Sequence, residues 1–470
     1  MLDYKSIFGN IGSFAEVITG VLGIAITVVA IIVELAATRY TPRISELFIR
    51  GRLNISILSF YILTCILGIW IAVLQSEPPA NWLVILVWIY LVCVTISFVS
   101  VLPYFIYVFT FLHPNNIINR LEILSKNFLE KTIENPAKIL STKPNFLITI
   151  EQISDIGLNS IANMDRSLGL SCVASLERIL MHYFMLKDRF ASEWFKLDER
   201  NFFGFSHHSV ARIEESRTWV EMAIMKQYEF IFGRAVSQNR ELVQEISNDT
   251  KEVALVAIRR RIDEATELIV IFFNTFLRIS FNERNQYAIY NIFDQYRSLA
   301  EEVLAVDEDL PLEIANYFKY YGQAALKVMP FTIVIASNDL RMLNEKAYAI
   351  NFSKRDELLD IFLELDKPPE SEAEEIGFRG VRKSQAILAA FYLELGEKAL
   401  ARRIYQDMIS EPLDRMISIR DEILEVKGER FWEVTDRWIN FDYVAGERRE
   451  KLIEFFSWFE ARGPIAKVES

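Results

Sequence analysis

The chain has 470 residues, 51% of them hydrophobic, and a formal net charge of −12 at pH 7; that length suits roughly two to four domains. The first 112 residues balance Asp3, Glu16, Glu34, Glu46 and Glu77 against Lys5, Arg39, Arg43, Arg50 and Arg52, so the whole −12 falls on residues 113–470. An anionic soluble part excludes nucleic acid as an expected partner, because phosphate binding needs a basic surface.

The N-terminus, MLDYKSIFGN, lacks the basic start and cleavage site of a secretory leader, so the first hydrophobic run is expected to stay in the mature protein. That run, Glu16 to Ala37, carries 17 uncharged residues between Glu16 and Glu34. With its half-polar ends it can cross a hydrocarbon core of about 30 Å at about 1.5 Å per residue. Gly20, Gly23, Thr27, Ala30, Glu34 and Ala37 follow at steps of three and four and share one helix face. Glu16 precedes Glu34 by 18 residues, five turns, and falls on that face too. Two readings of the stripe stand side by side. Small residues let helix backbones approach in lipid. Carboxylates inside a membrane segment are costly and face a cavity or a partner, and rings of them select cations. On the second reading Glu16, Gly20, Gly23, Thr27, Ala30 and Glu34 line a pore.

The spacing predicts three membrane helices, at about 12–37, 53–74 and 82–112. The third run is 31 uncharged residues, roughly 46 Å if helical, so it is expected to tilt, to kink at Pro103 or to project from the bilayer. The loop after the first helix carries Arg39, Arg43, Arg50 and Arg52, whereas SEPPAN between the second and third carries only Glu77. By the positive-inside rule the basic loop is cytoplasmic, which places the N-terminus outside and the large C-terminal part inside. Thr41 and Pro42 are suited to open a short helix with Ile44, Leu47 and Phe48 flat on the inner leaflet. The four arginines are then lipid-contacting residues, or plain determinants of orientation.

The run ITVVAIIVELAATRYTPRISELFIRGRLNISILSFYILTCILGI resembles the core of a widespread bacterial family of predicted membrane proteins of unknown function. There a membrane helix ends in a polar-aromatic-Ser/Thr-Pro-Arg motif, which Arg39-Tyr40-Thr41-Pro42-Arg43 fits. Asp155 to Leu180 resembles the family's first cytoplasmic helix pair, although its usual Ser-Pro, Asn-Asp-Pro and Thr-Ala elements are replaced here. The leading membrane helix of many members is also absent. The resemblance implies a multi-pass protein of the bacterial inner (plasma) membrane and supplies no activity.

Residues 113–470 carry apolar positions at helical spacing, so the fold class is all-α: three transmembrane helices, then a large cytoplasmic helical domain ending in an α-solenoid-like region. The expected divisions are 1–112, 113–305 and 306–470. An amphipathic helix follows His113-Pro114, and Asn135-Pro136 and Lys143-Pro144 punctuate the chain. Residues 148–163 and 169–184 are expected to form a helical hairpin. Residues 210–246 and 253–279 read as long helices, broken near Gly233. Arg259-Arg260-Arg261 reads as a solvated face, and residues 364–375 (ELDKPPESEAEE) as a solvated acidic linker. Between 384 and 410, Leu388, Ala389, Tyr392, Gly396, Ala401 and Tyr405 match the packing positions of a single tetratricopeptide-like hairpin.

Cys65, Cys93 and Cys172, with His113, His182, His207 and His208, offer neither disulfide nor metal spacing, so no cofactor or metal is expected. No phosphate loop or nucleophile motif is present, so no catalysis is expected. The leading expectation is a homo-oligomeric, cation-preferring channel or pore, surrounded by membrane lipid and gated or assembled through its cytoplasmic helices. The alternative is a membrane-anchored helical scaffold or sensor that docks a cytosolic protein.

Overall fold

The computed structural model describes residues 4–39, 48–74, 81–197, 207–430 and 437–461. The described residues form helices joined by short turns, without strands. The chain divides into two compact units, 1–194 and 195–470.

The first unit holds the three helices long and apolar enough to cross a membrane, followed by a three-helix bundle. Helix α1 (Tyr4–Arg39) is longer than the sequence suggested, with Ala15–Ala36 as its membrane-length part. Helices α2 (Arg52–Val73) and α3 (Asn81–Leu112) match expectation within a residue. Pro103 lies inside α3, which continues through it to Leu112. The helix ends instead at His113, whose ψ of 125° is extended. A residue before proline is pushed out of the helical region, and Pro114 then opens α4 (Pro114–Glu134) without losing a bond.

Pro136 opens a turn, but Pro144 punctuates nothing: it lies inside α5 (Ile139–Ala162). Helix α6 (Arg166–Leu186) completes the expected hairpin. Ile117 and Leu121 of α4, Ile150 and Ile153 of α5, and Leu176 and Ile179 of α6 are buried. Glu122 of α4 ties the bundle together, accepting hydrogen bonds from Lys126 at 2.7 Å and from Arg178 of α6 at 2.7–3.1 Å.

The second unit comprises α7 (His207–Glu215), α8 (Trp219–Ala235), α9 (Arg240–Arg259), α10 (Asp263–Asn282), α11 (Gln286–Val303), α12 (Leu310–Ala325), α13 (Phe331–Ala349), α14 (Arg355–Leu363), α15 (Glu372–Glu394), α16 (Lys398–Asp407), α17 (Leu413–Glu425) and α18 (Gly446–Glu460). The long helices expected at 210–246 and 253–279 are therefore four. The break expected near Gly233 falls just beyond it, at 236–239, where the Asn239 side chain caps α9, and a further break at 216–218 sets off α7. Aromatic pairs join neighbours: Phe232 on Phe276 at 4.8 Å, Phe273 on Tyr296 at 4.6 Å, and Phe293 on Phe318 at 4.8 Å. Helices α13 and α15 approach closely at glycines, since a Cβ on Gly380 would come within 2.5 Å of Val334.

Six helices end in the same corner. After α5, α7, α9, α10, α13 and α15 the second residue takes a left-handed φ: Met164, Arg217, Arg261, Arg284, Asn351 and Gly396, at 50° to 81°. The next amide reaches back five residues, as from Asp165 to Ser160 (2.8 Å), Ile262 to Ala257 (3.0 Å), Asn285 to Ser280 (2.9 Å) and Glu397 to Tyr392 (2.8 Å). This is the Schellman closure, which satisfies carbonyls left over at a helix end. Asp165 and Asn285 serve twice, because their side chains also cap the helix that follows. The Arg259–Arg261 run is thus a corner rather than a helix face.

Around Gly396, α15 and α16 are consecutive helices joined by a short turn, with Leu388, Ala389 and Ala401 fully buried. The acidic stretch before them is a largely exposed linker, as expected, but acids within it are paired. Glu364 pairs with Lys319 at 2.7 Å, Asp366 with Arg382 at 3.0 Å and Glu370 with Lys327 at 2.9 Å. Ser371 then caps α15, and Glu374 bonds back to the Glu370 amide at 3.0 Å.

Candidate functional site

Within the first unit, α1 packs through Ile18, Leu22, Ala25, Val29 and Val33, all buried. Ile18 and Leu22 join Tyr61 and Ile71 of α2 and Val87 and Tyr90 of α3 in one apolar cluster. The opposite side carries Glu16, Gly20, Gly23, Thr27, Ala30 and Glu34, and every one is exposed. A Cβ built on Gly20 or Gly23 would meet nothing within 4 Å. Among the described residues, the two glycines of the stripe therefore pack against no other helix. Thr27 stays on its own helix, donating to the Gly23 carbonyl at 2.8 Å.

Helices α2 and α3 have the reverse arrangement. Asn54, Tyr61 and Gly68 recur every seven residues on α2, and Tyr90, Ser97 and Tyr104 do so on α3. Seven residues are nearly two turns, so each set forms one stripe. The stripes meet antiparallel: Tyr104 donates to Asn54 Oδ1 at 2.6 Å, and the Tyr61 hydroxyl lies 3.0 Å from Ser100 Oγ. Further along, Gly68 makes room for Tyr90, whose hydroxyl would lie 2.6 Å from a Cβ at that position. Asn54 Nδ2 also donates to the Phe48 carbonyl at 3.3 Å, tying the entry of α2 to α3.

This seam has a readable signal, the double seven-residue spacing of polar and aromatic residues inside apolar runs. The sequence reading passed over it in favour of the first helix. Phe48 is a correction. It was expected against lipid, yet it is buried with its ring edge-on to Phe111 at 5.2 Å. Of the expected lipid-contacting arginines, Arg50 and Arg52 are exposed. Arg43, with Thr41, Pro42, Ile44 and Leu47, lies outside the described residues, as do the side chains of Ala37 and Arg39.

The second unit buries charge instead. Asp339 is fully buried, bound by Arg437 at 2.6 Å and by Arg297 at 3.1 Å. Arg382 gathers Asp366, Asp407 and Glu411 at 2.8–3.0 Å. Burial, and then the neighbouring Asp366, raise the Asp407 carboxyl above its usual range despite the guanidinium. Two guanidiniums meet Asp339 and three carboxylates share Arg382, an arrangement that ties helices together. Among the described residues no group of His, Cys, Asp and Glu is placed to hold a metal ion.

Three apolar helices followed by a helical domain define a membrane protein. Residues 9–155 match the model of a family described as predicted membrane protein (DUF2254). No curated protein matches the chain. A solved circular tandem repeat protein with novel repeat topology and enhanced subunit contact surfaces is 14% identical over 97% of this chain and 96% of its own, at a TM-score of 0.34, too low to carry any inference.

Proposed function

We propose that the protein is a homo-oligomeric, cation-preferring channel of the bacterial inner membrane, with α1 facing the shared axis. One observation carries this reading. The face of α1 bearing Glu16, Gly20, Gly23, Thr27, Ala30 and Glu34 is exposed among the described residues. A face with two carboxylates has no favourable place against acyl chains. Copies of α1 around a hydrated lumen would give each carboxylate water and each glycine a close neighbour. The arginine-bearing loop supports a cytoplasmic C-terminal part, whose −12 charge would enrich cations at the inner mouth. Reconstituted protein should pass cations, with conductance or selectivity altered by Glu34→Gln. A silent bilayer together with a stably monomeric protein would refute the reading.

A second reading has its own observation. Arg341 and Glu345 of α13, Ile387 of α15, Arg448 of α18 and Tyr443 ahead of it line a cleft of about 530 Å³ in the second unit. On this reading the membrane helices are an anchor and the cleft docks a cytosolic protein. A stoichiometric partner that co-purifies with the full chain and is lost on Tyr443→Ala would favour it. Retention of every partner by that variant would count against it.

A further inference from the structure

Near the C-terminal end of α1, the membrane helices part around a second cleft of about 290 Å³. Val29 and Val33 of α1, Phe48 and Ile49, and Leu58 of α2 give it apolar walls. Asn54 and Tyr104 also line it, but their polar atoms are engaged with each other and with the Phe48 carbonyl. A small polar ligand would find few free partners there, and water needs two to four. The medium outside α1, α2 and α3 is hydrocarbon, if they span as their length and composition indicate. The volume sits at the lower limit of ligand pockets, about 300 Å³, which suits part of a chain rather than a whole amphiphile.

Charge sets the direction. Glu34 also lines the cleft and repels an anionic head, whereas the exposed Arg50 and Arg52 flank the chain next to Ile49 and Asn54. We propose that this cleft seats one acyl chain of an anionic phospholipid whose phosphate meets Arg50 and Arg52. The tail is held by dispersion contacts with a preformed surface, since lipid offers no hydrophobic gain. The head is held by charge-assisted hydrogen bonds. Ala30 and Glu34 belong to both this cleft and the proposed pore face, but one chain forms the whole cleft, and its test reads lipid labelling rather than conductance.

The test uses full-length protein in nanodiscs of phosphatidylglycerol and phosphatidylcholine, each in turn carrying a photoreactive group in its tail. Val33, Ile49 and Leu58 should be labelled by the phosphatidylglycerol probe well above the lipid-facing controls Leu63 and Val99, which are 64% and 70% exposed. Leu58→Trp fills the cleft and should abolish labelling at Val33 and Ile49. Arg50→Gln and Arg52→Gln leave the helices intact, and each should reduce the preference for phosphatidylglycerol about five-fold, ~1 kcal/mol. Cleft labelling no stronger than at the controls would overturn the proposal. So would equal labelling by both lipids, or photoproducts that join two copies of the protein at these positions.

Discussion

Helix α1 and the α2–α3 pair solve the membrane problem in opposite directions. The pair turns its polar groups inward, where Asn54 meets Tyr104 and Tyr61 meets Ser100. It shows lipid Leu53, Ile62, Leu63, Ile69, Ile96 and Val99. Helix α1 buries Ile18, Leu22, Val29 and Val33 and shows outward two carboxylates and two glycines. In water the first pattern would be inside-out; α1 mixes the two, since Val17, Ile24, Ile31 and Leu35 are exposed beside its carboxylates and glycines. In hydrocarbon the pair turns its polar groups toward each other, although the buried Tyr90 and Ser97 hydroxyls find no partner among the described residues, whereas α1 leaves carboxylates that only water or another protein surface can satisfy. The contrast is what makes assembly of several copies a physical requirement of the proposed channel.

Glycine substitutions should break the comparison most sharply. A side chain at Gly68 must displace the Tyr90 ring, so Gly68→Leu should cost about 3 kcal/mol of stability, read by unfolding in detergent. Gly20→Leu has free space in the single chain. It should leave that stability unchanged while lowering oligomer yield in size-exclusion chromatography. Equal effects of the two would erase the distinction.

A smaller loss is expected at the seam's hydrogen bonds. Tyr104→Phe strands Asn54 Oδ1 and should cost about 1 kcal/mol, since single hydrogen bonds in membrane proteins are worth that or less. No ionised group takes part in these seam bonds, so the cost should not vary with pH.

The tie at Glu122 should behave differently. Burial would raise this carboxyl, but hydrogen bonds from Arg178 and Lys126 outweigh it and hold the group below its ordinary value of 4.5. A carboxylate depressed in the folded state contributes stability that is present in full above the unfolded pKa. That contribution is lost as pH falls through the lower folded value. Glu122→Gln should therefore be less stable than the parent at neutral pH and converge on it in acid. A gap that persists below pH about 3 would show that packing, not charge, sets the effect.

What the sequence made legible follows from which signals have one physical cause. Three uncharged runs of bilayer length have only one economical placement, and Pro114 marks the end of α3 because proline constrains its predecessor. The helical corners were hidden because five of the six left-handed residues are Met164, Arg217, Arg261, Arg284 and Asn351, and only Gly396 announces itself. At those five sites the backbone hydrogen bonds override the preference for glycine. Gly233 marks the neighbourhood of a break but not its position, since it sits in open space within α8. On α1 the shared face could be read from spacing, but not whether it turned inward or outward, because that depends on the partners of its other side. The solvation of the acidic stretch 364–375 could be read, but not its pairing, because the bases Lys319, Lys327 and Arg382 are not its neighbours in the pattern that marks the linker.

The claim that α1 faces a hydrated interior is tested most directly by thiol accessibility. On a background with Cys65, Cys93 and Cys172 replaced, Glu34→Cys and Thr27→Cys would be exposed in intact oligomers to a membrane-impermeant, water-soluble thiol reagent. Leu63→Cys is the lipid-facing control, because Leu63 is 64% exposed on α2. Fast labelling at positions 27 and 34, with position 63 protected, is the predicted result. Protection at 27 and 34 equal to that at 63, in oligomers that remain intact, would contradict the account.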